Sequence, residues 1–113
     1  MSIDKQIYEA LKDIGMPMSL AGYDYITQAI KSCMENPGMR LKAKDLYSQT
    51  AEQNGIPVST VVRNIVYCIQ VTVRKSNRLE EYFGSRTNYD NIKPAEFIAA
   101  VCEHIHMENK EVV

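Results

Sequence analysis

Thr60, Arg63, Asn64, Tyr67, Gln70 and Arg74 recur at intervals of three and four residues, the spacing that gathers side chains on one face of a helix. The set offers guanidinium groups, carboxamides, a hydroxyl and a phenol. These are groups that can read the edges of base pairs and bind phosphate oxygens. The opposite side of the same stretch carries Val58, Val61, Val62, Ile65, Ile69 and Thr72 at the 3.6-residue period, a core-facing stripe. A helix over Val58–Lys75 therefore has one side for packing and one for chemistry. Most tyrosines (Tyr8, Tyr23, Tyr25, Tyr47) sit at or beside helical core positions and read as packing residues. Tyr67 alone lies on the outward side, where it could touch a sugar-phosphate backbone.

Charge points to the same region. The net charge is −1, but it is unevenly spread. From Gly38 to Arg78 there are Arg40, Lys42, Lys44, Arg63, Arg74, Lys75 and Arg78 against Asp45 and Glu52, a balance of +5, while residues 1–37 carry −2 and residues 79–113 carry −4. A phosphate-facing surface requires such a concentration. An ordinary solvated helical face accounts for it equally well.

The element that must position these groups begins earlier. Lys44–Asn54 reads as a short helix with Leu46, Tyr47 and Ala51 inward, Gly55-Ile56-Pro57 as a break, and Val58–Lys75 as the longer helix. Ala51 is small enough to let two helices approach. Gly55 tolerates the positive φ of a turn, and Val61 points the second helix back to the core. This is the spacing of a helix-turn-helix unit.

Around it the chain supplies supporting helices. Ile3, Ile7, Tyr8, Leu11 and Ile14 form a stripe capped by Ser2 and ended by Gly15 and Pro17. A helix over about Ser19–Glu35 follows, with Leu20, Tyr23, Ile26, Ala29, Ile30, Cys33 and Met34 on one face, and with Gly22 placed to permit close packing. Asn36-Pro37-Gly38 is a break, and Met39–Lys42 bridges to the next helix. Arg78–Phe83 predicts a short helical turn closed by Gly84, and Ser85–Ile92 a polar loop. Pro94 opens a last helix to about Asn109, with Phe97, Ile98, Val101, Cys102 and Ile105 as its stripe. No segment alternates as a strand does. The expectation is an all-α fold of about six helices around a central helix-turn-helix, without a wing.

Composition narrows the function classes. With 113 residues, one domain is expected, and 45% hydrophobic with 24% charged residues is a globular balance rather than a disordered one. No apolar run approaches the roughly 20 residues that span a bilayer, and the N-terminus lacks a signal peptide's regions. A cytoplasmic protein with no membrane association is expected. Cys33, Cys68 and Cys102 are odd in number and contain no CxxC pair, so they read as reduced core cysteines. Enzyme signatures are absent: there is no Gly-rich phosphate loop, GxSxG or HExxH. His104 and His106 point about 200° apart on a helix and cannot jointly grip a metal. No enzyme, cofactor, metal or small-molecule substrate is expected.

A resemblance sharpens this reading. Gly15-Met16-Pro17, Gly22-Tyr23-x-Tyr25-Ile26-x-x-Ala29-Ile30, Leu46-Tyr47, Ala51 and Ser59-x-Val61-x-Arg63-x-Ile65 carry it, with Ile69, Asn77, Phe83-Gly84 and Glu96-Phe97-Ile98-Ala99. In order and over nearly the whole chain, these resemble the C-terminal DNA-binding effector domain of the stage-zero sporulation response regulators of spore-forming Firmicutes. The resemblance implies a six-helix domain whose helix-turn-helix binds double-stranded promoter DNA as head-to-tail dimers. In that family a phosphoacceptor receiver domain normally precedes this one. Only about fifteen residues stand before Gly15-Met16-Pro17 here, so a single effector-type domain without a receiver is expected.

The outer face departs from the family pattern. Where members typically read Ser-Arg-Val-Glu-Arg-Ala-Ile-Arg, this chain has Ser59-Thr60-Val61-Val62-Arg63-Asn64-Ile65-Val66. Ser59 and Arg63 carry over, Arg63 as a DNA contact, while the charged residues at 60, 62 and 66 do not. An arginine paired bidentately with guanine contributes roughly 1–3 kcal/mol of discrimination, which threonine and valine cannot replace. Phosphate contacts from Arg40, Lys42, Lys44, Arg74 and Lys75 would preserve salt-dependent affinity. Thr60 could touch a thymine methyl or a base edge, and Asn64 could pair with adenine. The expected function is a DNA-binding helix-turn-helix in transcription regulation with an altered recognition helix. The alternative is a protein-interaction module that docks on a sporulation regulator or on itself.

Overall fold

Ser2 accepts a hydrogen bond from the Lys5 backbone N–H at 3.2 Å, and the chain enters its first helix, α1 (Ile3–Ile14). Asp4 in the first turn and Lys12 in the last complement the helix dipole. Gly15 ends the helix with φ at 91°, its N–H bonding back to the Leu11 and Lys12 carbonyls, while the Met16 N–H also reaches Leu11. That is a Schellman-type stop, completed by the buried Met16 side chain. The computed structural model describes residues 2–36, 43–84 and 92–111.

The second helix, α2 (Ala21–Glu35), starts two residues later than the sequence suggests. The Leu20 N–H closes a turn onto the Pro17 carbonyl, and Leu20 itself is extended, so Ser19 lies in the turn rather than the helix. From there α2 is the centre of the molecule, packed against α1, α3 (Ala43–Asn54), α4 (Val58–Lys75) and α6 (Pro94–Glu111). Its Ile26, Ala29 and Ile30 are fully buried. Burial also raises the phenol of Tyr23 above its ordinary value, with smaller contributions from Tyr8 and Asp24.

In α3, Leu46 and Ala51 are buried and Tyr47 is half-buried, as the pattern predicts. Thr50 is buried too, its hydroxyl donating to the Leu46 carbonyl at 2.9 Å. The turn that follows has Gly55 at φ 63°, and the Ile56 N–H reaches back to the Ala51 carbonyl at 3.1 Å. Pro57 occupies the extended cap position of α4 (Val58–Lys75), and the chain bends by 107° between α3 and α4. Such an angle and turn define a helix-turn-helix.

The last two helices close the bundle. α5 (Leu79–Phe83) is a single turn ended by Gly84 at φ 78°, with Leu79 buried. α6 (Pro94–Glu111) buries Phe97, Ile98, Val101 and Ile105. Among the described residues there are six helices and no strand. The expected bridge at Met39–Lys42 and most of the expected loop at Ser85–Ile92 lie outside the described residues.

One part of the predicted core stripe is corrected. On α4 the buried positions are Val61, Ile65, Cys68, Ile69 and Thr72, whereas Val58 is 40% exposed and Val62 half-buried. α2 presses on α4 at Asn64 and Cys68, so the buried stripe is centred on Val61, Ile65, Cys68 and Thr72. Val62 lies about 100° further around the helix than Val61. Among the described residues, no single helix is long and apolar enough to cross a membrane.

Candidate nucleic-acid interface

The outer side of α4 is held in place by a close approach of α2. A Cβ added at Gly22 would lie 2.6 Å from the Cys68 Cβ and would overlap the Asn64 carbonyl oxygen. Glycine at this position lets the α2 backbone settle directly on α4. The turn between α3 and α4 is braced from the same helix: the Asn54 amide donates to the Gln28 side chain at 2.9 Å and to the Thr50 carbonyl at 2.7 Å. Both halves of the helix-turn-helix are thus anchored to α2.

With that orientation set, Ser59, Arg63, Tyr67, Gln70 and Arg74 are exposed on α4, as is Lys75 at its end. Tyr67 is 55% exposed, the most accessible large hydrophobic side chain of the helix. Lys44 is exposed near the start of α3. Among the described residues, no ion pair engages Lys44, Arg63, Arg74 or Lys75. A cation without a carboxylate partner keeps its charge directed to solvent and to whatever anion approaches.

Thr60 and Asn64 are placed differently. Both are half-buried, and the Asn64 side-chain amide donates to the Thr60 carbonyl at 2.8 Å. The carboxamide therefore folds back along its own helix on the side that meets Gly22. Arg40 and Lys42, also singled out by sequence, lie outside the described residues.

Arg78 separates from the basic group altogether. Its Nε lies 3.0 Å from Asp13 Oδ1 and its Nη2 lies 2.5 Å from Glu81 Oε2. Tyr82 donates its hydroxyl to Asp13 Oδ2 at 2.9 Å, and its ring stacks on His104 at 3.9 Å. His104 in turn lies 3.0 Å from Glu108. This chain of contacts ties α1, α5 and α6 together beside an open polar pocket that Glu9 and Glu108 also line. No sequence motif signals it, because its members come from three distant segments.

A family model described as "Sporulation initiation factor Spo0A C terminal" matches residues 7–105, from the second turn of α1 to near the end of α6. The chain belongs to this family. Spo0A C-terminal domains are DNA-binding effector domains of sporulation transcription regulators, not enzymes, and double-stranded DNA is their partner. The match reaches into every helix described above and contains the whole helix-turn-helix at Ala43–Lys75. The family expectation drawn from Gly22-Tyr23-x-Tyr25 and the recognition-helix residues is therefore borne out, together with the all-α architecture.

Proposed function

We propose that α4 is a recognition helix that enters the major groove of duplex DNA, with target preferences changed from those usual in the Spo0A C-terminal family. Arg63 and Ser59 approach base edges and backbone from the first turns, and Tyr67 lies against the sugar-phosphate backbone. Arg74, Lys75 and Lys44 contact phosphates, as do Arg40 and Lys42. Thr60 and Asn64 act nearer the edge of the contact. The observation that carries this reading is the set of four cations on α3 and α4 that no described carboxylate neutralises, around an exposed tyrosine. Phosphate binding needs free cations at the surface. The changed preference follows from Thr60, Val62 and Val66, which stand where the family carries charge.

A pair of copies on adjacent sites and a place in cytoplasmic transcription control go with this reading. Selection of bound duplexes from a random library, followed by gel shift at low and moderate salt, tests it directly. An enriched motif and an affinity that falls steeply with salt are expected. No complex with any duplex at low salt would overturn it.

A specific observation favours a second reading. Val58 is 40% exposed, and Val62 and Val66, each one turn further along, are only half-buried. The three make an apolar strip beside the polar face, as a docking surface for a sporulation regulator or another copy would. Light scattering after size exclusion separates the two readings. A strict monomer that binds DNA would remove the second.

A further inference from the structure

The apolar strip on α4 runs into the polar face rather than away from it. Val58, Val62 and Val66 are spaced four residues apart, so each stands about 40° further around the helix than the one before. Val58 is 40% exposed, and Val62 and Val66 are half-buried. By Val66 the strip lies within about 20° of Ser59 and about 60° of Arg63 around the axis. Both of those residues are exposed, as is Gln70 one turn beyond Val66. Val73 continues the same flank but packs against the core. The open valines of this flank therefore belong to the half of α4 that carries Ser59 and Arg63. Over its 18 positions α4 has no acidic residue, so nothing on the helix repels an anion from this surface.

We infer that Val62 and Val66 read the C5-methyl groups of thymine in the major groove, so that the chain selects T·A pairs beneath them. The inference rests on the reading of α4 as the recognition helix. A helix that sets Arg63 against base edges brings Val66 to the groove beside it, because the two are one turn apart. Valine has neither donor nor acceptor. Against the polar edges of guanine, adenine or cytosine it strips water from a hydrogen-bonding group and returns no partner. The thymine methyl is the one apolar group that the major groove presents, and covering it with valine removes apolar surface from water on both sides. Val62 and Val66 stand about 6 Å apart along the helix axis, roughly two base-pair steps. The thymines they read therefore fall within a window of about three base pairs. A polyanion is the fitting occupant of this face, since an apolar protein partner over the same valines would leave Arg63 unpaired at its edge.

The test takes a duplex that the full chain selects from a random library and replaces its thymines one at a time with deoxyuridine. Deoxyuridine pairs as thymidine does but lacks the C5-methyl group. Fluorescence anisotropy is expected to show a loss of about fourfold for each methyl that a valine covers, at thymines within one window of about three base pairs. Val62→Ala and Val66→Ala should each bind the thymine duplex more weakly and lose most of the discrimination against uridine. Arg74→Ala, which removes a phosphate contact, should weaken both duplexes and keep their ratio. A selected duplex that tolerates uridine at every position would overturn the inference and leave the recognition helix standing. A uridine effect undiminished in both valine variants would do the same, as would a chain that dimerises through the valines and binds both duplexes equally. No duplex bound at low salt would remove the recognition helix itself, and this inference with it. The uridine series on the unaltered chain decides the matter even if a valine variant fails to fold.

Discussion

Gly22 on α2 lies against the backbone carbonyl of Asn64 on α4, so closely that any Cβ at position 22 would overlap that oxygen. A backbone carbonyl inside a helix cannot swing aside as a flexible side chain can. Gly22→Ala must therefore push the two helices apart. Overpacking of a core costs about 1–3 kcal/mol, and this site belongs at the upper end. The midpoint of urea unfolding should fall accordingly. DNA affinity of the folded fraction should fall with it, because α4 moves relative to α3. An unchanged midpoint would show that the helices have room the structure denies them.

Arg63 should behave as a base-contacting residue. Arg63→Ala is expected to reduce affinity for a selected duplex about tenfold or more, within the roughly 1–3 kcal/mol of a specific contact, and to relax preference at one or two positions. Competition gel shifts with single-base variants of the selected site measure both effects.

Lys75→Ala and Lys44→Ala should look different. Each is expected to weaken all duplexes about equally and to lower the slope of log affinity against log salt by about 1. Fluorescence anisotropy over a salt series checks this. A sequence-dependent loss would mean that the side chain reads bases.

Tyr82 and Asp13 concern stability alone. Burial, with the hydrogen bond to Asp13, raises the Tyr82 phenol well above its ordinary 10.0. Its stabilising contribution is therefore complete below pH 10 and is lost as the pH rises above that. Tyr82→Phe should cost about 1 kcal/mol at neutral pH and flatten the alkaline loss. Asp13→Asn should cost about as much, since it weakens a partly exposed ion pair with Arg78 as well as the Tyr82 bond. Neither change should alter DNA affinity. Urea titrations from pH 7 to 11 provide the comparison.

Cys68 should resist alkylation in the folded protein at neutral pH, because burial pushes its thiol up to about 11.

The helix limits show how far local information reaches. α1 and α4 run from Ile3 to Ile14 and from Val58 to Lys75, as the sequence predicts, because their boundary residues are local: Ser2 and Gly15 for α1, Pro57 and Ser76 for α4. The start of α2 is misplaced by two residues because Pro17 and Leu20 form a turn that helical periodicity does not record. On α4, periodicity correctly turned Arg63, Tyr67, Gln70 and Arg74 outward. It misplaced Val58 and half-misplaced Val62, since a period defines a stripe but not the direction from which the neighbouring helix presses.

The sequence by itself determined the all-α class, the position of the helix-turn-helix and the family, since each rests on residue types at fixed short spacings. Only the tertiary structure decided which of the charged and polar residues remain available. Arg63, Arg74, Lys75 and Lys44 stay without an ion-pair partner among the described residues, whereas Arg78 is taken up by Asp13 and Glu81. Asn64 turns its amide back to Thr60, and the Cys102 thiol reaches the Ile30 carbonyl across the bundle. The physical reason is the same in the long-range cases. A side chain's partner is set by which helices pack together, and the packing of α2 on α4 and α6 joins segments that share no local signal.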